Sequence, residues 1–484
     1  MQKRLTADYW DKKIEISVPG DVTLGEIPNP HPLPDPEKAI REAIAHPIAA
    51  EPLSELAKKA QKGKVTIAFD DPFRPAKPRQ LIMSILIEEL IKAGIKEENI
   101  LLVCASGMHC KRTPAQLREY LGPSIFDRFS LPGSASRVLN HDCHDPEGLV
   151  YMGVSETGDY VEHNRLLLDS DLFIYSGAVH PMPWGGLSGT GAVVGLASTQ
   201  SIPSTHGVSV IDHPDSCHGN HRTSLFRAHK QAIMKQIEKF TGKRVFYVDM
   251  VLGAGDDIAG VFAGYSPEIN EPSWQLAENI FQLEVPQADV FIIGIPRFVL
   301  YGETSNPLIS LSVISTSFRC WVNKPPIRDG GVVIALTACD GTIDERSYPA
   351  HREIIDLYKT CFSVEELSIY EEAFRYREDL IFKYRHCYAY APAHGFWLFN
   401  ESQYMLDTAS KVIFAGVPGM NNPLCTGGLA RRTGGQGATR DVGCVPAKDF
   451  DHAWKLTEQI VGKKPKVLAC PQYWTRPGPQ FVVK

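Results

Sequence analysis

With 484 residues, a formal net charge of −6, 43% hydrophobic and 22% charged residues, the chain has the make-up of a soluble globular enzyme of two domains. No apolar run approaches the roughly 20 residues of a membrane helix. The negative balance offers no general attraction for nucleic acid or an anionic membrane, so any anionic ligand must be held by local donors.

The opening MQKRLTADYWDKKIEISVPG lacks the apolar core of a signal peptide, which makes the cytoplasm the expected compartment. The eleven cysteines are odd in number, scattered and without a CxxC pair. That argues against a disulfide framework or a thiolate zinc site and predicts mostly buried, reduced thiols.

Apolar β-rich runs recur at 64–69, 99–104, 171–176, 244–252, 290–295, 331–337, 411–416 and 466–470. Several are continuously apolar, as strands covered on both faces are. Between them, 78–95, 378–390 and 450–462 return apolar residues every three or four positions and read as helices. Strand alternating with helix predicts an α/β fold of two domains, each with a mainly parallel sheet flanked by helices, and an active site in the cleft between them. Segment 278–286 shows no clear strand or helix pattern, which places a boundary near residue 275: a domain of 1–275 and a second of 276–484. The Gly-rich stretch 421–443 reads as a long functional or mobile loop.

Three strand ends carry chemistry. In FDDPFRP (69–75), Asp71 and Arg74 are compatible with a solvated ion pair in a rigid turn or with an arginine clamp for a substrate carboxylate. In CASGMH (104–109), His109 follows a strand through a glycine, a position for a structural or a catalytic imidazole. His180 stands four residues after DLFIYS and begins a Gly-rich run in which SGTGAVVG (188–195) offers backbone N–H groups to an anion. It fits neither the P-loop nor the dinucleotide fingerprint. His206 ends that run, with His213, His218 and His221 behind it in a spacing that matches no zinc motif.

Together these stretches resemble the nickel-pincer lactate racemase family. Asp71 and Arg74 match its D-x-x-R-P; GMHCKRT with His109 matches its G-x-H-x(3)-T; GLAS (195–198) matches its G-I-A-S and brings His206 onto its nickel ligand. VDMVLGAGDDIAGVFAGY (248–265) is similar to its strand, acidic turn and G-x-F-A-G.

The resemblance implies a 2-hydroxyacid racemase or epimerase working by hydride transfer, with nickel and pyridinium-3,5-bisthiocarboxylic acid mononucleotide as cofactors. It assigns the metal to His206, acid/base catalysis to His109 and His180, and the substrate carboxylate to Arg74, with Asp71 orienting a histidine or pairing with Arg74. Ser188, Gly189, Thr190, Gly191 and Gly195 would contact the cofactor.

Two departures stand out. Thr190 occupies the place of a lysine that the family joins covalently to the cofactor, which predicts noncovalent binding. The stretch aligned with the family's Y-Q-x-x-K reads NPLISLSVISTSFRCW (306–321), where Arg319 and Lys324 are the nearest cations. Serines, Thr316 and Asn306 there would suit a polyhydroxylated acid such as an aldonate, with lactate or another short-chain 2-hydroxyacid as the alternative. Trp397 in HGFWLF is compatible with a site wall or with the core. A non-catalytic binding protein of the same fold and a zinc hydrolase built on 206–221 are the competing classes.

Overall fold

The computed structural model describes residues 2–216, 219–418 and 435–484. Its two large sheets are mainly parallel and flanked by helices, as the alternating pattern predicts. The eight apolar runs form strands, among them Val65–Asp70, Ile100–Ala105, Leu172–Val179, Phe246–Leu252 and Ala288–Pro296. The three periodic segments form the helices Ala76–Lys92, Glu378–Cys387 and Phe450–Val461.

The first sheet has six strands in the order Ile258–Tyr265, Phe246–Leu252, Leu172–Val179, Val65–Asp70, Ile100–Ala105, Val138–Asn140. Only its first pair is antiparallel. All eight residues of Leu172–Val179 are buried, because helices cover both faces. Three parallel neighbours therefore end side by side, and the residues that follow them meet at one edge.

The second sheet has eight strands, with Ala288–Pro296 paired in parallel to Ile327–Leu336 and Lys466–Cys470. Two helices pack beside it: Pro307–Arg319, buried at all thirteen positions, and His394–Thr408, buried along most of its length.

Two readings of the organisation change. The boundary expected near 275 falls inside the helix Asn270–Phe281, and Gln282–Val285, in the stretch that looks featureless, is a strand paired with Gln480–Val483. The chain's first strands also belong to the second sheet: Gln2–Trp10 joins Ala288–Pro296, and Asp21–Leu24 joins Lys466–Cys470. These pairings link residues hundreds of positions apart, which local periodicity does not report.

Among the described residues nine cysteines are free thiols, six of them buried. Among the described residues no helix is long and apolar enough to cross a membrane. Most of the loop expected at 421–443 lies outside the described residues, as does His218; Gly435–Asp441 is helical.

Candidate active site

A cavity of ≈ 430 Å³ opens where the three parallel strands of the first sheet end, and the second half of the chain supplies its other wall. Its size falls in the range of small-molecule sites. Asp71 and Arg74 follow Val65–Asp70, His109 follows Ile100–Ala105, and His180 follows Leu172–Val179; all four line the cavity.

Asp71 Oδ2 lies 2.5 Å from His109 Nδ1. An ionised carboxylate only accepts, so Nδ1 carries the proton and Nε2 is left for a ligand. Burial pushes the Asp71 carboxyl up, but His109, Arg112 and Arg74 outweigh it and hold it below the usual range. Of the two roles open to Asp71, orienting a histidine is the one its geometry serves.

His180 donates from Nδ1 to Pro181 O at 2.9 Å, and its Nε2 accepts from Arg74 Nη2 at 2.6 Å. Burial, with the Arg74 cation, lowers its pKa to about 3, so the ring is neutral. Ser188 Oγ accepts from His180 N at 2.9 Å and donates to Ala178 O at 2.8 Å, fixing the turn that aims the imidazole.

His206 is set differently. Thr205 Oγ1 donates to Ile202 O at 3.1 Å, so it accepts from His206 Nδ1–H at 2.9 Å and the Nε2 lone pair stays available. Aromatic rings hold the imidazole, Trp184 edge-on and Trp397 tilted, each with centroids 5.3 Å away. Burial, then Lys230 and His109, bring its pKa to about 3.

The Gly-rich segment is fastened from behind by the helix Leu225–Thr241. Arg227 Nη2 donates to Leu187 O at 2.8 Å and Lys230 Nζ to Gly189 O at 2.5 Å. Lys230 lines the cavity floor with Asp249. Burial, then Arg227, drives the Lys230 amine well below its usual pKa, and burial, then Asp70, raises Asp249 to about 7. Both escape a motif search. Their only signal is a cation on the apolar side of an amphipathic helix and an acid inside an apolar strand.

Gly191 and Gly195 line the cavity, yet their smallness answers to packing. A Cβ at 191 would stand 2.5 Å from the Tyr175 ring, and one at 195 would stand 2.8 Å from Ala105 O.

From the second half, Tyr301, Thr316, His394, Trp397 and Glu401 reach the cavity. Trp397 is both wall and core: 7% exposed, beside His206, with Nε1 donating to Glu371 Oε1 at 3.2 Å.

Residues 9–219 match the lactate racemase N-terminal domain family. A lactate racemase from Thermoanaerobacterium thermosaccharolyticum is 24% identical over 329 residues, covering 66% of this chain and 70% of the relative. The structure of the lactate racemase apoprotein from the same organism superposes with a TM-score of 0.72 at 19% identity, over all of both chains. A Thermotoga maritima protein superposes with a TM-score of 0.57 at 16% identity, over 95% of this chain and all of that one.

Several contacts expected from the sequence lie elsewhere. Thr190, at φ +54°, is 1% exposed, and its hydroxyl meets Ser266 Oγ at 2.7 Å and Asn270 Nδ2 at 3.4 Å, away from the cavity. Arg319 is fully buried, and its guanidinium donates to Glu401 O and Ile211 O, both at 2.9 Å. It is a tie between elements and not a cavity group. Asn306 caps the helix Pro307–Arg319 through Leu308 N and donates to His351 Nδ1 at 3.0 Å. In each case the side chain is satisfied by other protein groups and does not line the cavity.

The zinc reading finds no support: among the described residues no group of three ligands converges, and His221 packs on Trp274 with Glu278 3.1 Å from its Nε2.

Proposed function

We propose that the protein is an isomerase, a racemase or epimerase that inverts C2 of a 2-hydroxyacid. The observation that carries this reading is the placement of His109 and His180 at strand ends on one cavity, each with Nδ1 held by an oxygen acceptor, and of Arg74 on the same cavity with its guanidinium against His180 Nε2.

The donor set fits nickel held in a pincer nucleotide. A single imidazole with an open Nε2, His206, suits a metal whose other donors are soft sulfurs. Lys230 and the backbone of 188–195 border the same cavity and would face its anionic part. When bound, such a group supplies reversible hydride acceptance at C2. This avoids ionising a weakly acidic C–H next to a carboxylate.

The chain's own residues do the rest. Arg74 binds the substrate carboxylate, and in turning to it releases His180 Nε2. Neutralising the guanidinium also removes the charge that opposes protonation of His180. The hydroxyl proton passes to Nε2 of one histidine; Asp71 stabilises the imidazolium at His109, and Pro181 O accepts from the one at His180. The other histidine, which must enter the cycle as the imidazolium, delivers its Nε2 proton to the alkoxide formed once the ketoacid has presented its opposite face. Trp184 and Trp397 exclude water around His206.

The substrate is inferred to be a sugar acid, since the described cavity wall of the second half offers hydroxyls and a histidine where the family carries lysine. Cofactor contacts are inferred to be noncovalent, since Thr190 faces away. The test is production together with cofactor-synthesis enzymes, metal analysis, and NMR of the C2 stereocentre of single-enantiomer acids. A nickel-loaded protein that inverts none of them would overturn the reading.

A further inference from the structure

The helix His394–Thr408 presents one face to the cavity. His394, Trp397, Leu398 and Glu401 stand at i, i+3, i+4 and i+7, and all four line it. His394 is 2% exposed, and its Nδ1 is buried with no hydrogen-bond partner. A buried, unpaired imidazole nitrogen is costly unless a ligand satisfies it. The ring sits among others: the His109 centroid is 5.7 Å away, Tyr301 5.6 Å and Tyr390 4.2 Å.

One turn further on, Glu401 is 1% exposed; Ser312 Oγ donates to its Oε2 at 3.1 Å and Thr316 Oγ1 donates to Oε1. Burial raises its pKa to about 7, although Thr316 and Arg319 oppose the shift. Burial, then Glu401, pushes the Tyr301 hydroxyl up. Among the described residues no cation projects from this face: Arg319 behind it is held by backbone carbonyls and Asp212, and Arg476, elsewhere on the cavity, pairs with Glu26 at 2.5 Å.

We infer that His394 and Glu401, with Thr316 and Tyr301 beside them, form the specificity wall of the site and bind hydroxyl groups beyond C2 of a polyhydroxylated 2-hydroxyacid. This rests on the 2-hydroxyacid reading above. A carboxylic acid and a neutral imidazole both donate and accept, so they match alcohol groups in either direction. A methyl group in place of such a hydroxyl leaves His394 Nδ1 unpaired, and a second substrate carboxylate meets an acid where it needs a cation. The wall therefore selects against lactate and malate by different terms.

The experiment uses the holoprotein with D-gluconate, D-galactonate and single enantiomers of lactate and malate, measuring kcat and KM for inversion and, separately, equilibrium binding by calorimetry. The wild type is expected to prefer one aldonate over lactate by about 100-fold or more in kcat/KM. His394→Leu and Glu401→Leu should each raise the aldonate KM about tenfold, with a smaller effect on kcat, and weaken aldonate binding by the same factor. Glu401→Gln should restore much of it, which separates hydroxyl recognition from support of the helix. Thr316→Val serves as a milder variant if the leucine substitutions do not fold. Equal losses for aldonate and lactate, or a wild type that prefers lactate or malate, overturn the wall. A holoprotein that binds D-gluconate through His394 and Glu401 yet inverts no acid overturns the racemase reading and leaves the wall standing.

Discussion

Arg74 Nη2 sits 2.6 Å from His180 Nε2, so the group that would clamp a carboxylate also caps the lone pair of a base. On the proposed reading, substrate binding to Arg74 and exposure of His180 Nε2 are one event. Arg74→Met should raise KM about 100-fold and flatten the preference for acids over their amides. A cationic Lys at 74 should recover only part of this, because it lacks the bidentate fork. Steady-state kinetics on acid and amide pairs checks both, and an unchanged KM would remove Arg74 from the carboxylate.

The Asp71–His109 contact predicts a tautomer effect. Asp71→Asn preserves size but presents an amide that can donate to Nδ1, which would leave Nε2 protonated and unable to accept the hydroxyl proton. Turnover should fall by roughly 10² or more with cofactor occupancy unchanged. A near-normal rate with a full nickel complement would mean that His109 is not the base.

His206→Ala should remove nickel while leaving the fold in place, since the ring contacts Trp184 and Trp397 at the cavity edge and supports no strand. Elemental analysis beside circular dichroism tells the two apart. Retained nickel in a folded variant would reassign the ligand.

Because the Thr190 hydroxyl faces Ser266 and Asn270, the holoprotein should release its cofactor on unfolding, and denaturing mass spectrometry should return the unmodified chain mass. Added mass would refute noncovalent binding. Peptide mapping should then begin at Lys230, the lysine among the described residues that lines the cavity floor.

Glu401 predicts a pH dependence of stability. Its folded pKa of about 7 lies above the ordinary carboxyl value of 4.5, so the folded state holds the proton more tightly than the unfolded one. The associated stability is complete below about pH 4.5 and is lost as pH rises through 7, in all about 3 kcal/mol. Glu401→Gln cannot ionise. Denaturant titrations at pH 5 and pH 8 should therefore show the wild type losing ground to the variant at the higher pH. A pH-independent difference would place the carboxyl in a less buried setting.

The sequence by itself determined the α/β class, eight of the fourteen strands described in the two large sheets, and the ends of the strands at which Asp71, Arg74, His109 and His180 stand. Those properties are local: an apolar run long enough for a strand and the residue that follows it are written within ten positions. His394, Glu401, Lys230 and Asp249 were not legible, because each looks like a polar interruption of an apolar element until the fold turns that face to the cavity. Arg319, Asn306 and Thr190 erred in the opposite direction. Their chemistry suited the site, but in the fold their polar atoms are taken by backbone carbonyls, His351 and Ser266. The pairing of Gln2–Trp10 with Ala288–Pro296 was likewise decided only in three dimensions, since a backbone ladder between strands so distant in sequence leaves no local periodic signature in either. Sequence fixes which residues can do chemistry at a strand end; tertiary packing decides which side chains face the same cavity.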